Sequence, residues 1–155
     1  MKKKNVLIFA LVLMLGSILI AQSVVAGVEK GKVPITTSSK KAHELYLKGR
    51  DLAESLQLQE SREYFEKAVQ EDPDFAMGYL QLAFAQPSAR AFFETLDKAV
   101  AHADKVSEGE RLWILGVQAG VTAFPMKQRS FYKKLVAAFP GDERVHNLLG
   151  TNYFG

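Results

Sequence analysis

Small and large side chains return along this chain at a spacing of about 34 residues, and that recurrence constrains its fold more than anything else in it. Counting from Ala42, Leu45 stands at the fourth position, Gly49 at the eighth and Leu52 at the eleventh. Ser61 follows at the twentieth, Phe65 at the twenty-fourth, Ala68 at the twenty-seventh and Pro73 at the thirty-second. Counting again from Gly109, Leu112, Leu115, Gly116, Ala119, Tyr132 and Pro140 occupy the fourth, seventh, eighth, eleventh, twenty-fourth and thirty-second positions. From Glu143, Leu149, Gly150 and Tyr153 fall at the seventh, eighth and eleventh. The stretch between, Ala76 to Glu108, is one residue shorter. It keeps Tyr79, Leu82 and Ala83 in its first half, and Phe92, Leu96 and Ala99 in its second. A small residue at the eighth position lets two helices approach closely, and the large ones fill the space toward the next pair. One such pair cannot bury its apolar stripe alone, so pairs stack.

Local signals punctuate the same units. Ser107 followed by Glu110 is a capping-box pair, and Pro125 suits a first helical turn, where a missing N–H costs nothing. Pro87-Ser88 breaks the chain inside the second unit, while Asp72-Pro73 and Pro140-Gly141-Asp142 end helices between units. An ordinary helical bundle also shows apolar stripes, but it has no need of prolines and small residues at matching offsets. The pattern resembles the tetratricopeptide repeat, departing from it at Lys48, where a leucine is usual, and at Leu52, where a tyrosine is usual. The resemblance implies an all-α fold, an antiparallel helix-pair solenoid in a tetratricopeptide-like superhelix of about three and a half repeats. Its units are 42–75, 76–108, 109–142 and a truncated 143–155.

Before the repeats stand Lys2, Lys3 and Lys4, the apolar run Val6 to Ala21, and small residues up to Ala26. Residues 1–26 read as a secretory signal peptide cut after Ala26, which puts the body outside the cytoplasm, periplasmic or secreted. An uncleaved anchor over residues 6–26 is the alternative, and membrane contact is expected only through that segment. Residues 27–41 lack apolar periodicity and read as a flexible, solvated linker. From Asn5 onward seventeen basic side chains balance seventeen acidic ones, so nothing favours nucleic acid. No cysteine is present, which removes disulfides, thiolate metal sites and cysteine nucleophiles.

No catalytic constellation emerges, and neither a metal nor a cofactor is expected. His43, His102 and His146 lie in different units with no second ligand at helical spacing. Gly116 to Gly120 has Gln118 where a nucleophile elbow needs serine. The resemblance does imply a binding groove, formed by the fifth and ninth positions of first helices. Carried over, these are Tyr46 and Arg50, Leu80 and Phe84, and Trp113 and Val117. Only Arg50 is basic among them, which favours an apolar groove for a protein or peptide partner over a carboxylate clamp. For Trp113 and Phe84 the core between repeats is the competing place, and burial is the default for large apolar side chains. The last unit holds only its first helix, with Leu148, Leu149, Tyr153 and Phe154 unmatched. The sequence therefore reads as a piece of a longer repeat protein, with self-association through that open carboxy-terminal face as a further possibility. The function expected is a non-catalytic protein–protein interaction scaffold. The alternative is a sensory or accessory segment of a larger exported or membrane-anchored protein, an enzyme included.

Overall fold

The computed structural model describes Val24–Val25 and residues 31–154. The expected signal or anchor, apart from Val24–Val25, lies outside the described residues. The fold is all-α, with consecutive helices packed on one another. The helices are α1 (Lys40–Glu54), α2 (Leu58–Glu71), α3 (Ala76–Phe84), α4 (Ala89–Ala101), α5 (Glu108–Val121), α6 (Pro125–Ala138) and α7 (Glu143–Phe154). A short 3-10 turn, Ala103–Lys105, joins α4 to α5.

The start signals in the sequence are used as chemistry dictates. Ser39 caps α1 by accepting the Ala42 N–H at 3.1 Å, and Ser88 caps α4 by accepting the Ala91 N–H at 3.3 Å. Ser107 and Glu110 close a reciprocal capping box at the head of α5, and Pro125 opens α6.

Helices pair in antiparallel hairpins. Lys41, at the head of α1, reaches Glu71, at the tail of α2, at 2.5 Å. The closeness of each pair depends on missing side chains. A Cβ placed on Gly49 would stand 2.8 Å from the Phe65 ring, and one on Gly116 would collide with the Tyr132 ring. Both aromatics follow their glycine by the same interval, so α1/α2 and α5/α6 are built on one plan. Tyr46, Phe65 and Phe75 then stack as a tilted aromatic group, with centroids 5.9 and 5.3 Å apart. The core continues through Met77, Leu80, Leu96, Ile114, Leu135 and Val145, all fully buried. The last helix docks on α6, where Arg129 Nε donates to Asn152 Oδ1 at 2.7 Å.

The linker expectation needs correction. Residues 31–38 form a strap packed against the helices, not a solvated tether. Val33, Ile35 and Thr37 are buried while the residues between them are not, a period of two that marks extended chain lying on a surface. Thr36–Thr37 (β2) pairs antiparallel with Val24–Val25 (β1). Val33, Ile35 and Thr37 therefore belong to the packed body, and α1 begins at Lys40.

Candidate groove

The strap owes its place to three carboxylates that the fold buries. Asp142, fully buried ahead of α7, accepts the Val33 N–H at 2.9 Å. Glu110, fully buried in the first turn of α5, accepts the Thr36 N–H and hydroxyl, each at 2.6 Å. Asp72, between α2 and α3, accepts the Thr37 hydroxyl at 2.5 Å and the Ser38 N–H at 2.8 Å. Burial alone would raise the Asp72 carboxyl, but the Thr37 and Ser38 donors outweigh it and hold it below its ordinary value. Asp142 is likewise lowered: burial opposes, and bonds from Arg144 and Val33 prevail. Arg144 grips Asp142 at 2.8 and 2.6 Å, donates to the Val33 carbonyl at 3.3 Å, and lies 5.4 Å over the Trp113 ring. The strap thus runs across the opening turns of α7, α5 and α3 before entering α1, and draws the heads of those helices together.

Beside it a groove opens. One part, of about 330 Å³, has Val33, Ile35 and Leu47 as apolar lining, with His43, Arg50 and Glu54 from α1 facing Glu143 and Arg144 from α7. A second part, of about 280 Å³, shares Arg50, Glu54 and Arg144 and continues over Tyr46, Gln81 and Trp113. First helices α1, α3, α5 and α7 each contribute to it. Its charge is mixed. Arg50 stands 3.3 Å from Asp51 and 3.6 Å from Glu54, and its Nε is buried without a hydrogen bond. Burial lowers the His43 imidazole and the Arg50 charge lowers it further, so His43 is neutral near pH 7. Burial pushes the Tyr46 hydroxyl up to about 12, leaving it a neutral donor.

The residues expected from the sequence divide among three settings. Tyr46, Arg50 and Trp113 meet in the groove, though Tyr46 is 1% and Trp113 6% exposed, so both also belong to the core. Leu80 and Val117 are core residues, 0% and 4% exposed. Phe84 is 51% exposed at the far end of α3, 5.7 Å from the Phe92 ring. Arg144, Glu54, Gln81 and the strap residues were not anticipated. A hint of the strap lay in the alternation of Val33, Ile35 and Thr37, and a hint of Arg144 in its place beside an acid at a helix head.

Among the described residues no cluster of three or more His, Asp or Glu side chains could hold a metal ion. No helix among them is long and apolar enough to cross a membrane. No protein-family model matches the chain, and no curated protein matches it.

Proposed function

We propose that this chain is a non-catalytic scaffold, a tetratricopeptide-like stack of helix pairs that holds a peptide or partner helix in the groove between α1, the strap and α7. One observation carries the reading: side chains from all four first helices line two adjoining cavities that share Arg50, Glu54 and Arg144. Its apolar wall of Val33, Ile35 and Leu47 suits a partner's aliphatic side chains. The Arg50 guanidinium, whose Nε stands 3.6 Å from Glu54 and which lines both parts of the cleft, suits a partner's carbonyl or carboxylate oxygen. Such a site orders an extended chain through few polar contacts and excludes water along an apolar edge, which is recognition without bond-making. Export directed by residues 1–26 belongs to the same reading and would place the partner outside the cytoplasm.

The test is selection of peptides from a displayed random library on the full chain, followed by titration against the fluorescence of Trp113, the sole tryptophan. Selected peptides are expected to perturb that emission and to lose about tenfold or more in affinity with Arg50→Glu or Leu47→Asp, on the order of 1.4 kcal/mol. Peptides that bind both variants unchanged would place recognition elsewhere and end the proposal.

A further inference from the structure

The end of the hairpins opposite the strap is apolar, and its charges are ordered. Each first helix has its head under the strap, so the turns joining first to second helices share the other end. Among the described residues, every large apolar side chain that stands exposed lies there or at the tail of α7, which ends on the same side. The first tip carries Leu56 and Leu58, 85% and 53% exposed. The second carries Phe84 and Phe93, and the third Phe124 and Met126, 60% and 70% exposed. Leu56 holds φ +62° and Ala123 φ +63°, a left-handed conformation that favours glycine. A leucine kept there, and turned to solvent, stabilises nothing within the described fold.

The tips differ in charge. Asp51, Glu54, Glu60 and Glu63 outnumber Arg50 and Arg62 around the first, and Arg90 and Glu94 balance at the second. Lys127 and Arg129 flank the third, and no carboxylate lies between Glu110 and Asp142. Acidic, balanced, basic: this order is self-complementary. A twofold axis through the second tip sets each acidic tip on a basic one and places Phe84 and Phe93 against their own copies. An anionic lipid surface would attract the third tip but repel the first, so it fits less well.

We propose that the hairpin tips are the interface for a second copy of this chain, in a twofold dimer with acidic tip on basic tip. This surface borders the groove at Glu54 and Arg50, which line the cleft as well as the first tip. The measurement is sedimentation of the full chain, 17.2 kDa, over a concentration series, with circular dichroism to show that each variant is folded. The mass is expected to rise to that of a dimer below about 0.1 mM. Glu60→Lys and Lys127→Glu should each weaken association about tenfold, and Phe124→Ser should do the same. Combining the two reversals should restore it to within about threefold, because acid and base have only changed places. A monomer throughout, or association indifferent to these charges, overturns the proposal. So does a monomer that sediments with phosphatidylglycerol vesicles through Phe124, which would make the edge a membrane face instead.

Discussion

The two ends of the helix hairpins solve opposite problems. At the heads, polar groups are buried and almost all satisfied within the chain: Asp72, Glu110 and Asp142 take up the strap's N–H and hydroxyl donors, and Arg144 neutralises one of them. At the tips, large apolar side chains are exposed, and two of the three turns hold a residue in the left-handed conformation that favours glycine. The contrast teaches where stability and association reside. Buried carboxylates with several donors hold a structure together and tolerate little change. Exposed apolar residues contribute little to the monomer and are free to serve a partner.

The sharpest way to break this contrast is at the head of α7. Asp142→Ala strands the Arg144 guanidinium, 19% exposed, and leaves the Val33 N–H without its acceptor. A loss of about 3 kcal/mol is expected in urea denaturation, with the strap's amides exchanging early by hydrogen exchange. A cost under about 1 kcal/mol would show the strap to be ornamental.

Acid should produce a graded version of the same effect. Asp72 and Asp142 are both lowered in the folded state, so their contribution is complete above the unfolded carboxyl value near 3.8. It is lost as the pH falls from there through the lowered folded values. Stability should therefore fall with acid below about pH 4. Asp72→Asn should flatten that fall, whereas substitution at the tips should leave it unchanged.

The smallest effect is the most telling, because its sign is reversed. Leu56→Gly removes a branched side chain from a left-handed turn and should leave the monomer unharmed or raise its stability by up to about 1 kcal/mol. A large loss in thermal denaturation would mean that Leu56 supports the fold, and the division between the two ends would fail.

Much of the helical framework was legible because its causes are local. Ser107 and Glu110 meet within one turn, Pro125 fixes its own dihedral, and Gly49 and Gly116 declare a close neighbour by lacking a side chain. The strap was not legible, since its chemistry is remote. Thr36 and Val33 find Glu110 and Asp142 far along the chain, and Thr, Ser, Lys and Gly in a short stretch read as solvated linker. The groove was legible in part. Offsets pointed to Tyr46, Arg50 and Trp113, which line one cavity, but they carry no information on how tightly successive first helices crowd. That crowding places Leu80 and Val117 in the core and brings Arg144 beside Arg50.

The strap also sets an order of events in synthesis. Val33 leaves the ribosome before any of the described helices, yet the carboxylate that holds it is 109 residues further on. Thr37 and Ser38 meet Asp72 only 35 and 34 residues on, and Thr36 meets Glu110 74 residues on, so the strap can be fastened in steps as the hairpins assemble. Only its Val33 end has to wait until the growing chain has reached the head of α7, and there the clasp shuts.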